Sequence, residues 1–487
     1  MALLLAGVIA GACASGNATP SSTPEPAEAV IEVPEDWGAK AQANAESVVD
    51  AEPVVDAESV AVENALVDNW WQSFELSGLD ALVHEALDKN NDLRAAAAAV
   101  EAAVAQARIA GADRAPEVTA GFDASTQQQV FVGLPIPGGP LKTNFDVFSP
   151  AVGIRWEADL WGRLRASQKA ALVERQAAQE DLAAARLGIA AQTVRAFLTV
   201  LETERQLELA ENTYESRGLS TERITARYQN GVGEPLDVRL ARANEAQAQS
   251  FVEQRQRRLD AARRQLEILL GRYPAGELAA DLEELPEVPT DLPPVLPAEL
   301  VTRRPDLRAA ERRLEAAGWR IAEARRALYP SLSFNINAGT TSNQVGDLLN
   351  GDFSVWSLAG SLLQPLFQGG RLRAAVDFAE ASREQALALY VEAILQAFAD
   401  VETVLAAERF LASEEEALRI YAEEAAAARD LAEKRYRAGV GDYLMILESQ
   451  RQLFTAESRL ITVRSLRLTG RVDLYAALGG DFKKAVP

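Results

Sequence analysis

Apolar and polar residues alternate in four short stretches of the chain, two in each half. Residues 118–125 and 152–157 alternate strictly, and residues 332–338 repeat the pattern in the second half. A fourth stretch, residues 353–363, has a similar length but alternates less cleanly. A period of two predicts β-strands with one apolar and one polar face.

Long segments without proline follow each pair of predicted strands. Between Gly162 and Asn230 the only interior glycines are Gly188 and Gly218, and residues 371–438 contain neither glycine nor proline. At about 1.5 Å per residue, each segment predicts a helix on the order of 100 Å long.

Shorter helices are predicted from Leu82 to Asp113, ahead of Pro116, and over residues 235–270. Their combined length is close to that of one long helix, so the two can stack end to end beside it. In the last helix of the chain, apolar pairs recur at heptad spacing, which predicts left-handed coiled-coil packing. These pairs are Ile446–Leu447, Leu453–Phe454 and Leu460–Ile461.

The chain contains an internal duplication. Residues 91–96 recur degenerately as 305–310, and residues 162–166 recur as 370–374. Repeats in the same order indicate a duplicated structural unit. We expect a first repeat over 68–290, a second over 291–480 and a short tail over 481–487, each repeat containing a helix, two strands, a long helix, a tip and a shorter helix. The fold class is mainly α with a small antiparallel β part.

The N-terminal region predicts export. Residues 1–12 are largely apolar and suit a signal peptide, and the small residues before Cys13 resemble a bacterial lipobox, whose cysteine carries fatty acids such as palmitate. A cysteine within a cleaved signal peptide is the alternative. Residues 13–67 form an acidic tether, since residues 14–69 hold twelve acids and one lysine. No later stretch of about eighteen apolar residues predicts a transmembrane helix.

Charge and histidine content exclude two classes of function. The net charge of −22 argues against nucleic-acid binding. His84 is the only histidine, so a His-based catalytic triad or a multi-histidine metal site is not possible. The sequence therefore indicates neither an enzyme nor a cofactor other than the lipid on Cys13.

The four predicted strands require partners from other chains. A transmembrane barrel needs at least about eight strands, and unpaired strand edges are not tolerated in lipid. Three protomers would supply twelve strands around a polar lumen. The helices alone also fit a coiled-coil rod that acts as a surface or scaffold protein, which stays as an alternative.

Several motifs resemble the TolC/OprM outer-membrane efflux family, in particular its NodT-like lipoprotein branch. The segments that carry the resemblance are Trp70–Phe74, Arg155–Arg163, Arg304–Glu311 and Gln364–Leu372. The resemblance implies a homotrimer in the outer membrane of a Gram-negative bacterium, with a twelve-stranded barrel and a long α-helical periplasmic tunnel. It also implies a periplasmic adaptor (membrane fusion) protein and an inner-membrane pump of the RND type as partners.

The implied function is that of the exit channel of a tripartite efflux system, which passively conducts small molecules to the exterior. A duct for type I protein secretion is the alternative, because it would use the same fold for a different cargo.

Two Gly-Val-Gly segments join a long helix to the next helix in each repeat. A plain helical-hairpin turn explains glycine there, because glycine readily ends a helix in the left-handed conformation. The resemblance implies that these tips dock the adaptor. The tip residues are Gly231, Val232, Gly233, Gly439, Val440 and Gly441.

The resemblance also implies a periplasmic gate beside the tips. Leu444 and Glu448 are four residues apart and share one helix face. They match gate positions of the family, as does Tyr436, and Asp237 next to the first tip is a weaker candidate. Three Glu448 carboxylates near one axis would favour cations and repel one another, which would make the gate sensitive to pH or to a bound cation. Packing within the helical bundle is the alternative role for these residues.

Overall fold

The computed structural model describes residues 69–131, 141–278, 285–289 and 297–480. Cys13, the signal peptide, the acidic tether and the tail after residue 480 lie outside these residues. The helices are α1 Leu79–Lys89, α2 Asn91–Ala112, α3 Arg163–Gln229, α4 Pro235–Leu269, α5 Pro297–Arg303, α6 Pro305–Arg326, α7 Arg371–Arg437 and α8 Tyr443–Ala477. The strands are β1 Glu117–Phe131, β2 Leu141–Ala158, β3 Ser331–Thr340 and β4 Ser354–Leu363.

The long helices and the strands confirm most of the predicted elements. Helices α3 and α7 have 67 residues each and end within a residue or so of the predicted bounds. Strands β1 and β2 are longer than predicted, with 15 and 18 residues. The additional residues extend the pairing of the two strands, so that Gln127–Gln129 of β1 lie opposite Thr143–Phe145 of β2. Polar residues occupy both faces there, so the alternation that marks a strand is lost.

The prediction of a single helix from Leu82 to Asp113 is wrong, because the helix is interrupted at Asn90. The backbone of Asn90 is extended, and its side-chain oxygen accepts hydrogen bonds from the amides of Asp92 (2.8 Å) and Leu93 (3.3 Å). Asn90 therefore caps the start of α2. Its side-chain nitrogen donates to the carbonyl of Leu269 at 3.0 Å. This bond joins α1 and α2 to the end of α4, which confirms that the shorter helices meet end to end.

Arg304 has the corresponding place in the second repeat, between α5 and α6. Its guanidinium donates to the carbonyl of Ala477 at 3.1 Å and forms ion pairs with Asp306 (2.7 Å) and Asp400 (3.2 Å). The last carbonyls of a helix have no partner within the helix and need one from elsewhere. In the first repeat this partner is the side-chain amide of Asn90, and in the second repeat it is the guanidinium of Arg304. Both residues lie at a break between two helices.

The four strands form one antiparallel sheet in the order β1-β2-β3-β4. Its register pairs Val118 with Ile154, Ile154 with Ile336 and Ile336 with Leu358. Paired residues in neighbouring strands project from the same face. Strands β1 and β4 are the edges of this sheet.

The contacts divide the chain into two compact units, and each unit takes residues from both repeats. One unit comprises Ala99–Gln179 and Ala309–Val391 and contains the sheet. The other includes the described residues up to Ala98, together with Glu180–Arg308 and the described residues from Glu392 onward.

The core of the second unit is centred on two tryptophans ahead of α1. Trp70 and Trp71 are almost fully buried with Leu198, Leu266 and other apolar residues of α3, α4 and α8. Trp70 stacks on Tyr475 with 5.2 Å between ring centroids. In α8, Ile446 and Leu453 are buried, and each is the first residue of one of the apolar pairs that recur at heptad spacing. The heptad pattern thus marks a packed seam.

One described helix meets the length and hydropathy expected of a membrane span. This helix is α3, and half of its most apolar 18-residue window is buried inside the protein. The core helix of a helical bundle has the same composition, and the burial of α3 fits that explanation.

Candidate functional site

One face of the sheet is apolar and exposed. A row across all four strands contains Val118, Ile154, Ile336 and Leu358. Val118 exposes 65% of its surface and Leu358 exposes 64%. In water, an exposed apolar patch of this kind marks a contact with a partner or a membrane. Alternation of apolar outer and polar inner residues is typical of strands in an outer-membrane barrel.

The opposite face is polar along the same strands. Glu117, Arg155 and Asn335 are register partners on it, and another row of this face pairs Glu157 with Ser333. Both oxygens of Glu157 accept hydrogen bonds from Arg163 at the start of α3. A polar face with charged groups suits a water-filled lumen.

Aromatic residues lie where the strands meet the helices. The indole N–H of Trp156 donates to the carbonyl of Arg114 at 3.0 Å. Trp161 stacks on Tyr329 at 5.3 Å and donates to the carbonyl of Pro330 at 2.7 Å. Tryptophan and tyrosine are enriched at membrane–water interfaces, because their rings are apolar and their N–H or O–H groups are polar.

The two tips have the same backbone geometry. At the first, Gly231 has a φ of +74°, its amide donates to the carbonyl of Tyr228, and the amide of Val232 donates to the carbonyl of Arg227, both at 3.0 Å. The second tip repeats this pattern, with a φ of +77° at Gly439. These are Schellman motifs, which end a helix with a left-handed glycine.

The second glycine of each tip is required by close packing. A Cβ at Gly233 would lie 3.1 Å from the backbone nitrogen of Tyr228, and one at Gly441 would lie 2.9 Å from that of Tyr436. The intervening Val232 and Val440 expose 67% and 68% of their surfaces. Each tip thus presents one apolar side chain on a backbone that tolerates little change.

Tyr436 and Asp237, both candidate gate residues, are in contact. The Tyr436 hydroxyl donates a hydrogen bond of 3.2 Å to the Asp237 carboxylate. Burial raises the pKa of Tyr436, and the negative charge of Asp237 raises this pKa further. The neighbouring Tyr443 is almost fully buried, and burial raises its pKa to about 12. Both phenols are therefore neutral hydrogen-bond donors at physiological pH.

Leu444 and Glu448 are on the first two turns of α8. The side chain of Asp442 caps this helix by accepting a hydrogen bond of 2.9 Å from the amide of Leu444. The Leu444 side chain is exposed in the single chain, with 52% of its surface accessible.

Glu448 forms an ion pair within its own helix, which the prediction of three mutually repelling carboxylates leaves out of account. Its two oxygens accept hydrogen bonds from Arg451 at 2.6 and 2.9 Å, and Gln452 donates a third at 2.9 Å. The bond from Arg451, followed by that from Gln452, lowers the pKa of Glu448 to about 2. The three-residue spacing of Glu448 and Arg451 is a recognisable pairing signal in a helix.

Arg227 is a further residue of this cluster, and the sequence alone does not reveal it. Its guanidinium lies over the Tyr436 ring, 4.9 Å from the ring centroid. Arg227 and Tyr436 are far apart in the sequence, so no spacing rule could associate them.

Comparisons with known proteins agree with this geometry. The family model for outer membrane efflux protein matches residues 82–272 and 296–480. Outer membrane protein OprJ of Pseudomonas aeruginosa is 36% identical over 417 residues, which cover 85% of this chain and 86% of OprJ. The toluene efflux pump outer membrane protein TtgF of Pseudomonas putida is 33% identical, covering 85% of each chain. The solved structure of the outer-membrane channel OprN superposes with a TM-score of 0.79 at 28% identity, covering 90% of this chain and 100% of OprN.

The chain belongs to the outer membrane efflux protein family. Its fold is that of the outer-membrane efflux channels, and its location is the outer membrane of a Gram-negative bacterium, with the long helices in the periplasm. The relatives are channel proteins rather than enzymes.

Proposed function

We propose that three copies of this chain form a passive exit channel for small molecules. The supporting observation is the sheet, which has one apolar face, one polar face and two edge strands. Backbone groups at those edges need hydrogen-bond partners within lipid, and edge strands of neighbouring copies can supply them. Three sheets of four strands give a closed twelve-stranded barrel with its polar face inward.

We further propose that the channel belongs to a tripartite efflux system. A periplasmic adaptor protein docks on the tips around Val232 and Val440, and an inner-membrane pump of the RND type supplies the energy. Exposed valines on a constrained backbone suit a shallow apolar contact. The pump selects the cargo, so the channel residues define a conduit rather than a specificity pocket.

A duct for type I protein secretion is the second candidate, because the fold would serve either cargo. The similarity to TtgF favours the first candidate, since toluene is a small molecule. Purification with the native adaptor and pump distinguishes the two. An RND-type pump as the associated transporter supports efflux, whereas an ATP-driven protein exporter supports secretion.

Native mass measurement in mild detergent, followed by recording in a planar lipid bilayer, tests the channel itself. We expect a trimer with stable ion conductance. A monomer or dimer would contradict the barrel geometry. A trimer that leaves the bilayer resistance unchanged, both unmodified and with Leu444→Ser, would favour a coiled-coil scaffold over a conduit.

We also propose that Cys13, which lies outside the described residues, carries the membrane lipid. Cys13→Ser should abolish fatty-acid labelling while the barrel still inserts. A single acyl chain holds a protein to a membrane only weakly. Loss of the lipid should therefore reduce delivery of the protein to the outer membrane more than it reduces the stability of the inserted barrel in that membrane. A mature N-terminus at any residue other than Cys13 would contradict this assignment.

A further inference from the structure

Four helices meet at the side chain of Tyr436, which is on α7. Its hydroxyl donates to Asp237 of α4, and its ring packs against that of Tyr443 of α8, with 5.8 Å between centroids. Arg227 of α3 covers the ring at 4.9 Å. The position of this one ring therefore depends on contacts from every helix of the tip region.

Arg227 is held close to the ring and is partly withdrawn from water. Its side chain is half-buried, and its Nε atom is buried without a hydrogen-bond acceptor in the described part of the chain. A guanidinium that gives up a hydrogen bond in this way needs a compensating interaction. The face of an aromatic ring is such a partner, because its negative electrostatic potential attracts a cation.

We propose that Arg227 is the positioning residue of the Tyr436–Asp237 contact. Its guanidinium holds the Tyr436 ring in the orientation from which the hydroxyl reaches Asp237. This inference rests on the proposed channel and on the periplasmic gate that the family resemblance implies, and it adds that the contact helps to keep the periplasmic end closed. Loss of Arg227 frees the ring to rotate, and the closed state becomes less populated.

The electrostatics around the phenol support the same role. Burial and Asp237 raise the pKa of Tyr436, whereas the charge of Arg227 acts in the opposite direction. A nearby cation makes the phenol a stronger hydrogen-bond donor towards the Asp237 carboxylate. Arg227 thus fixes the ring by stacking and strengthens the bond by its charge.

Arg223 provides a matched control. It precedes Arg227 by one turn of α3 and lines the same cleft between α3, α7 and α8, which has a volume of about 350 Å³. Among the described contacts, Arg223 has no stacking contact with Tyr436. Replacing either arginine by glutamine removes the same charge from the same cleft, but only Arg227→Gln removes the cation over the ring.

The experiment records the resting open fraction of the reconstituted protein for Arg227→Gln, Arg227→Lys and Arg223→Gln. Each variant is measured with Tyr436 intact and with Tyr436→Ala. A cation–π contact corresponds to about a two- to thirtyfold change in an equilibrium. We expect an increase in that range for Arg227→Gln, a smaller one for Arg227→Lys, which keeps the cation, and none for Arg223→Gln. In the Tyr436→Ala background, Arg227→Gln should add nothing.

A second measurement is independent of conduction. Fluorotyrosine placed at position 436 reports the environment of the ring through its ¹⁹F chemical shift. We expect Arg227→Gln to move this shift and Arg223→Gln to leave it unchanged. If Arg227→Gln folds poorly, Arg227→Lys supplies the comparison, with a smaller displacement in the same direction.

The outcomes separate this inference from the proposed function. Equal effects of Arg223→Gln and Arg227→Gln would show that only the net charge of the cleft matters, and would overturn the positioning role. An effect of Arg227→Gln that persists in Tyr436→Ala would overturn it as well, as would an unchanged ¹⁹F shift. If Tyr436→Ala itself leaves conductance unchanged, the gate proposal fails, while the ¹⁹F measurement still decides the contact.

Discussion

The hydroxyl of Tyr436 donates a hydrogen bond of 3.2 Å to the carboxylate of Asp237 and so joins the end of α7 to the start of α4. The two residues come from different repeats. Their counterparts in the other repeat are Tyr228 and Met445, and a methionine thioether is only a weak acceptor. The internal symmetry of the chain is therefore broken at the tips, and the contact occurs once per chain.

Removal of this hydrogen bond should favour an open channel. Tyr436→Phe keeps the ring and its stacking but loses the donor, and a hydrogen bond to a charged group at a half-buried site contributes about 1–2 kcal/mol. We expect about a tenfold rise in the resting open fraction. Asp237→Asn should have a smaller effect, because an amide oxygen still accepts the bond. Tyr228→Phe is the control, and an equal effect of that change would contradict the assignment.

The pairing of Glu448 with Arg451 alters the expected pH response. A folded-state pKa lowered to about 2 keeps the carboxylate ionised throughout the physiological range, with protonation only in strong acid. Cation selectivity should therefore be constant between about pH 5 and pH 8. Measurements of reversal potential against pH check this expectation. A transition near neutral pH would show that repulsion among three carboxylates outweighs the local ion pair.

The charges of the same pair make opposite contributions to ion selectivity. Glu448→Ala should reduce the preference for cations, because it removes the negative charge from the entrance. Arg451→Ala should increase it, because the carboxylate is then uncompensated. Reversal potentials in a salt gradient measure both changes. If both variants keep the ion selectivity of the unmodified protein, Glu448 is a packing residue of the bundle.

Leu444 should act as an apolar constriction. Leu444→Ser is expected to raise the resting conductance, since a hydroxyl weakens an apolar contact between neighbouring chains. Leu236 is the counterpart in the first repeat and exposes a similar fraction of its surface, 59% against 52%. Leu236→Ser is thus a matched control in single-channel recordings. The two variants should differ, and equal conductances would show that the site is not specific to the second repeat.

The tip valines should contribute to docking. Val440→Asp places a charge on an exposed apolar position without altering the backbone, so we expect weaker binding of the adaptor and unchanged trimer mass. Gly439→Ala also strains the left-handed position by about 1 kcal/mol, which should weaken docking through the backbone. Co-purification with the adaptor measures both effects. Full retention of the adaptor by Val440→Asp and Val232→Asp together would place docking elsewhere.

The two helix breaks should differ in their contribution to stability. Asn90→Ala loses a helix cap and a bond to Leu269, so we expect a cost of about 1–2 kcal/mol. Arg304→Ala leaves Asp400 and the Ala477 carbonyl without their shared donor, and we expect about 2–4 kcal/mol. In thermal unfolding in detergent, Arg304→Ala should therefore lower the melting temperature more than Asn90→Ala does. The reverse order would mean that the cap matters more than the ion pairs.

Much of the fold was predictable because it depends on local rules. The absence of proline over residues 163–229 and 371–437 determined both long helices, and alternation located the strands. The break at Asn90 was not predictable, since asparagine is tolerated within helices and the decisive bond reaches Leu269, far along the chain. The candidate site likewise has a part that the sequence predicts and a part that it does not. The Glu448–Arg451 pair follows from spacing, whereas the stacking of Arg227 on Tyr436 exists only in the folded chain.

The sheet also has a consequence for how the protein is made. A newly exported chain reaches the periplasm with a wide apolar surface and two open strand edges, which are the features that promote aggregation. Within the described residues, the apolar face is exposed and β1 and β4 each have one unpaired edge. We therefore expect biogenesis to need either a partner protein that covers the strands in transit or other copies of the chain that pair with the open edges. We expect the yield of this protein to depend on the order of events during export as well as on the stability of the finished channel.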